Sequence, residues 1–160
     1  MIFVTVGTHQ QPFDRLIRKV DELIAKGKIR EKVVAQIGYC KYEPKNCVFF
    51  RFAPLKKVEK LIDSANLVIT HGGIGSILLV LRKRKKIIVV PRMREFGEHT
   101  NNHQIQIVKE LEKQKLIIAV YNIEELGEAV ERSRKITFKL THKKSIIISE
   151  IDRILERWRR

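Results

Sequence analysis

Three short segments gather side chains that can do chemistry without a metal. They are "THGGIGS" (residues 70–76), "GTHQQPF" (7–13) and "REFGEHTNNHQIQ" (94–106). In the first, Gly72, Gly73 and Gly75 stand between an apolar run and a helical pattern that begins at Ile74, with His71 before them and Ser76 after. Glycine lets the backbone turn sharply and bring its N–H groups up to a ligand. The first turn of a following helix adds unpaired N–H donors and about half a positive charge. Together these make an anion site. The same glycines would also let a helix pack tightly on a strand, and on the string alone both readings stand. The string matches neither GxxxxGK[ST] nor GxGxxG, which argues against an ATPase or a dinucleotide site.

In the second segment, Gly7 closes an apolar run and Pro12 opens a helical pattern, so Thr8 and His9 are candidates to touch a ligand. The plainer reading is that Thr8 only caps the helix. The third segment packs Glu98, His99, Asn102, His103 and Gln104 into seven positions. Neutral donors and acceptors at this density suit a hydroxyl-rich ligand, although short polar side chains at a helix start are also ordinary caps. His99 and His103 have i,i+4 spacing, which can hold a metal. No HExxH accompanies them and Glu98 is the one nearby carboxylate, so no metal is expected. No Ser-His-Asp order or catalytic-cysteine context is evident. Cys40 and Cys47 match no zinc or CxxC pattern and read as structural thiols.

The elements that must position these segments alternate along the chain. Short apolar runs at 2–6, 32–38, 47–52, 66–70, 86–91 and 115–120 read as strands buried on both faces. Helical spacing predicts helices from Pro12 to about Gly27, after Pro54, over 74–84 and over 101–113, and a short one capped by Asn122 with Glu124 and Glu125 in its first turn. Residues 141–160 read as a basic amphipathic helix with Ile147, Ile151, Ile154 and Trp158 in one stripe. Strand-helix alternation with short links implies an α/β fold: a doubly wound, mostly parallel sheet in a single domain over 1–160. In such a sheet ligands bind at the carboxyl ends of the strands, where all three segments must lie.

The 160 residues carry a formal net charge of +15. That balance points to an anionic partner: nucleic acid, acidic lipid, a phosphorylated ligand or an acidic protein. The cations of "RKRKK" (82–86) fall at a helix end, where they suit the dipole, and at the amino edge of a strand, away from the ligand edge. No apolar run approaches the roughly 18 residues that span a bilayer, and the amino terminus lacks a signal-peptide pattern, so a cytosolic location is expected.

"MIFVTVGTHQQPFDRLI", "FAPLKKVEKLIDSANLVITHGGIGSIL" and "IIVVPRMREFGEHTNNHQIQIVKEL" together resemble the carboxyl-terminal domain of glycosyltransferase family 28 across nearly the whole chain. The likeness is strongest to its stand-alone members, the PssE-like proteins and the eukaryotic subunit of the second N-acetylglucosamine transfer in lipid-linked oligosaccharide synthesis. The resemblance implies a Rossmann-like GT-B half-enzyme, an inverting hexosyltransferase subunit that binds a UDP-sugar, with UDP-N-acetylglucosamine the expected donor. It needs no metal and no cofactor. It implies a separate, membrane-anchored PssD-like subunit that carries the lipid-linked acceptor, with this chain peripheral at the cytoplasmic face and an anionic membrane surface as a further contact.

Matched motif by motif, the resemblance assigns the donor diphosphate to Gly7, Thr8, His71, Gly72, Gly73, Gly75 and Ser76. It assigns the uracil side to Phe52 and Ala53, and the donor sugar to Glu98, His99, Asn102, His103 and Gln104. The base is expected from the partner, with His9 and His103 the weak candidates here. One departure stands out: where relatives carry an acidic residue that can hold ribose hydroxyls, this chain has Leu79. The competing reading is a non-catalytic basic α/β module that binds nucleic acid or scaffolds a complex. The 7% aromatic content and the lack of RRM, KH or helix-turn-helix signatures count against nucleic acid.

Overall fold

The computed structural model describes residues 1–136 and residues 149, 152, 153 and 156. Six parallel strands form one sheet: β1 (Ile2–Thr5), β2 (Val33–Gln36), β3 (Val48–Phe50), β4 (Leu67–His71), β5 (Lys86–Val90) and β6 (Ile118–Ala119). Their spatial order is β3-β2-β1-β4-β5-β6. The order reverses between β1 and β4, and a crevice at the carboxyl ends is expected there.

The side-chain period of two explains why nearly every strand residue is apolar. Ile2 and Val4, Val33 and Ala35, and Leu67 and Ile69 pack on one face against α1 (Asp14–Ala25) and α5 (Leu126–Lys135). Phe3, Val34, Val68, Ile87 and Val89 pack on the other, against α2 (Leu55–Ser64), α3 (Ile74–Arg82) and α4 (His103–Lys113). The doubly wound α/β architecture expected from strand-helix alternation is therefore present.

Some boundaries move. The strand expected over 115–120 shrinks to two residues, because Lys115 takes a left-handed turn (φ 56°). The helix placed after Asn122 begins as a 3-10 turn, Ile123–Glu125, whose Glu124 N–H is capped by Asn122 Oδ1 at 3.1 Å, and continues as α5. The predicted 141–160 helix lies mostly outside the described residues, including Ile147, Ile151, Ile154 and Trp158. Ser149, Asp152, Arg153 and Glu156 are helical and exposed.

The cations of 82–86 lie where topology put them, at the end of α3 and the amino end of β5. Lys83 pairs with Asp63 at 2.8 Å, Lys85 Nζ donates to the Asp63 carbonyl and Lys86 Nζ to the Ser133 carbonyl, while Arg82 and Arg84 are exposed. Cys40 and Cys47 form no disulfide, and burial pushes both thiols up to about 11.

Candidate functional site

A cleft of about 550 Å³ opens at the switch point, on the sheet face covered by α2 and α3. Thr5 and Gln36 form its floor. Leu55, Val58 and Ile62 from α2 and Leu79 and Val80 from α3 form its walls. Gly7, Thr8, Ala53, His71, Gly73, Gly75 and Ser76, all candidates from sequence, line its rim. Among the described residues no Asp, Glu, Lys or Arg lines it.

The three glycines of the β4–α3 turn separate by role. A Cβ at Gly73 would lie 2.3 Å from His71 Nε2, and one at Gly7, which has φ +73°, 2.5 Å from His71 Cε1. The His71 ring is thus wedged between two backbone turns, and both turns require glycine. A Cβ at Gly72 would meet Gln104 Cβ at 2.8 Å, so this glycine serves close packing on α4. Gly75 meets nothing within 4 Å and faces the open cleft. The α3 amino terminus has no side-chain cap, so its first-turn N–H groups are available to an anion in the cleft. Close packing accounts for Gly72 and Gly73, while Gly75 packs against nothing and stays open to the cleft.

His71 is neutral. Desolvation lowers its pKa to about 3, and nearby Arg92 adds to the shift. Its Nδ1 lies 3.3 Å from Thr70 Oγ1. Thr8 does not cap α1, which starts at Asp14 after Phe13 with no side-chain cap bond; Thr8 is exposed on the cleft rim.

The 92–104 loop differs most from expectation. Glu98, assigned to the donor sugar, is 4% exposed, and its carboxylate takes a bidentate grip from Arg15 (2.8 and 2.9 Å) plus the Met93 N–H (3.0 Å). Its oxygens hold the loop to α1. Gln104, also assigned to the sugar, spends its Oε1 on the N–H groups of Gly72 and Arg92, each at 3.0 Å. Asn102 Oδ1 accepts from the Arg94 N–H, and Asn101 Oδ1 from the His103 N–H, so these are turn caps. His103 is exposed at the start of α4.

The His99 ring lies tilted against that of His9, with ring centroids 4.5 Å apart; burial, His9 and Arg92 lower the His99 pKa. His9 Nε2 is buried without a hydrogen-bond partner among the described residues. Among those residues no three His, Cys, Asp or Glu side chains gather as a metal site. Phe52 lies beside the cleft, edge-on to Tyr39 at 5.0 Å and half exposed.

Sequence reasoning missed the residue that joins the loops. Arg92 is fully buried, donating from Nη1 to the carbonyls of Gln11 (2.7 Å) and Glu98 (3.0 Å) and from Nη2 to that of Val6 (2.7 Å). Desolvation pushes its pKa down to about 10, and it stays charged. Its one sequence signal, a cation directly after a buried strand, was lost among 33 Lys and Arg. Thr5 and Gln36 were missed too, although each is a polar residue at the end of an apolar strand.

A doubly wound domain whose switch-point cleft offers a helix start is suited to an anionic ligand, and comparison with known proteins narrows the class. The model of the glycosyltransferase family 28 C-terminal domain matches residues 1–157, and the chain belongs to that family. It is 34% identical over 119 residues to a Homo sapiens protein named UDP-N-acetylglucosamine transferase subunit ALG13, covering 69% of this chain and 10% of that one. It is 36% identical over 87 residues to the Candida glabrata protein of the same name, covering 52% and 39%. The chain thus spans about a tenth and two fifths of these relatives. Among solved structures, the NMR structure of ALG13 superposes with a TM-score of 0.61 at 22% identity, covering 94% of each chain. The glycotransferase of kitacinnamycin superposes with a TM-score of 0.68 at 17% identity, covering 94% of this chain and 39% of that one. These two likenesses establish the fold. Among the described residues no helix is long and apolar enough to cross a membrane.

Proposed function

We propose that the chain is the donor-binding half of an inverting UDP-sugar glycosyltransferase, with UDP-N-acetylglucosamine the donor and a separate membrane-anchored subunit carrying the lipid-linked acceptor. The observation that carries this reading is the uncapped start of α3, opening with Gly75 and Ser76 onto a cleft at the switch point. The names of the relatives support the choice of sugar.

In such a transfer the acceptor hydroxyl attacks the anomeric carbon, the bond from that carbon to the UDP oxygen breaks, and UDP leaves with the electron pair. Negative charge grows on the diphosphate as the bond breaks. First-turn N–H groups of α3, already fixed, stabilise that charge most where it develops. No metal or cofactor has a part in this proposal. The proton of the acceptor hydroxyl goes to a base from the partner. His9, half-buried beside His99, and His103, at the exposed start of α4, are the groups this chain could offer in its place.

Leu79 puts an apolar wall where the family resemblance leads one to expect an acid for the ribose; either other groups hold the ribose, or the donor binds weakly, or this chain differs in specificity or activity. Calorimetry with UDP and UDP-N-acetylglucosamine, with the chain alone and co-expressed with a membrane partner, tests the proposal. Binding in either condition is expected; silence in both sinks it.

A further inference from the structure

Gln36 ends β2 and is 4% exposed. The strand period places it on the face of Val34, under α2 and α3, and its partner in register on β1 is Thr5, on the face of Phe3. The residue is buried, but within the described residues only the carbonyl half of its amide is hydrogen-bonded; its Nε2 is not among the buried unpartnered atoms and is open to the cleft. The Gly7 N–H donates to Thr5 Oγ1 at 3.1 Å, and the Thr5 hydroxyl passes its single proton on to Gln36 Oε1 at 2.8 Å. In this arrangement the carbonyl oxygen of the amide faces Thr5 and its NH2 group turns away. Nε2 has no partner among the described residues, and both Thr5 and Gln36 line the cleft.

Resting on the donor-site reading above, we propose that Gln36 is a specificity-determining residue whose NH2 group donates to a neutral oxygen on the nucleoside half of the ligand, with Thr5 as its positioning residue. The phosphate end lies at the β4–α3 turn. Gln36 is two strands away across β1, roughly 10 Å at the usual strand spacing. On its other side β3 ends and Ala53 joins the cleft. The amide therefore stands between the phosphates and the outer end, where a nucleoside would lie. The nearby walls, Val58 and Leu79, offer no donors, so Gln36 is the side-chain amide placed to meet a ribose hydroxyl or a pyrimidine carbonyl there.

The test is calorimetry on the chain co-expressed with its membrane partner, using UDP, 2′-deoxy-UDP and inorganic pyrophosphate. Gln36→Met keeps the shape and loses the donors. It is expected to weaken UDP about tenfold, as for one neutral hydrogen bond whose acceptor is left unpaired, and to leave pyrophosphate unchanged. Thr5→Val should reproduce the loss and Thr5→Ser should restore binding, because only the hydroxyl orients the amide. If the Gln36→Met loss persists with 2′-deoxy-UDP, the oxygen is not the 2′-hydroxyl; if it vanishes, it is. Either result supports the assignment. Unchanged UDP binding in Gln36→Met, or an equal loss for pyrophosphate, overturns the assignment of Gln36 alone. Should Gln36→Met fail to fold, equal UDP affinity in Thr5→Val and Thr5→Ser does the same. A wild-type chain that binds no UDP overturns the donor-site reading itself.

Discussion

At the scale of single residues, the cleft depends on side chains held in states that water would not favour. His71 is the clearest. Its ring fills the space between Gly7 and Gly73, and burial holds its pKa at about 3, far below the ordinary 6.5. The unfolded chain takes up a proton there below 6.5, whereas the folded chain does not until about 3. Stability is therefore lost as pH falls through that window, with a slope approaching about 1.4 kcal/mol per pH unit from this residue. Urea unfolding between pH 7 and 4 should show the loss, and His71→Asn should flatten it. Equal slopes in the two proteins would show that His71 is not the buried titrating group. The same burial makes the ring a neutral wall of the cleft, so any positive potential at that rim comes from the α3 start.

At the scale of elements, α1 does more than cover the sheet. Asp14 and Asp21 stand seven residues apart, two helical turns, on one face. Asp14 Oδ1 accepts from the N–H groups of Lys41 and Tyr42. Asp21 accepts from the Tyr42 hydroxyl (2.6 Å) and from the N–H groups of Lys45 and Asn46. These bonds fasten the long β2–β3 connection, which carries Tyr39 to Phe52 at the cleft mouth. Burial alone would raise the Asp21 pKa; the bonds from Tyr42, Lys45 and Asn46 outweigh it and leave the carboxyl below its usual 3.8. Its contribution is present above 3.8 and is lost as pH falls through the lower native value. Asp21→Ala leaves buried donors unpaired and should destabilise the fold by about 1–3 kcal/mol, read as a lower urea midpoint at pH 7. An unchanged midpoint would mean the connection is held by other contacts.

At the scale of the whole molecule, the +15 charge and the ligand edge are separate matters. Arg82 and Arg84 are exposed at the amino edge, and the cleft opens at the opposite ends of the strands. Cations near an anionic bilayer gain about 1 kcal/mol each. The double variant Arg82→Gln with Arg84→Gln should sediment less with vesicles containing anionic lipid and bind UDP unchanged. Equal sedimentation would remove this run from any membrane contact. Salt-sensitive binding to duplex DNA together with indifference to UDP would instead favour the basic-module alternative.

Sequence by itself determined the α/β class, the strand–helix order and the edge at which the three loops meet. Buried parallel strands must be apolar on both faces, and the chain's direction then sends every strand-to-helix turn to the same edge. It could not show which polar side chains there are spent on the protein itself. Glu98 is taken by Arg15, 83 residues away, and Gln104 by the N–H of Gly72, 32 residues away. Thr5 and Gln36 meet across 31 residues because two strands lie in register. A hydrogen bond depends on direction and on distances near 3 Å, and across such separations only tertiary packing sets either. Which residues hold the loops, and which donor in the cleft has no partner among the described residues, was therefore decided by the folded structure alone.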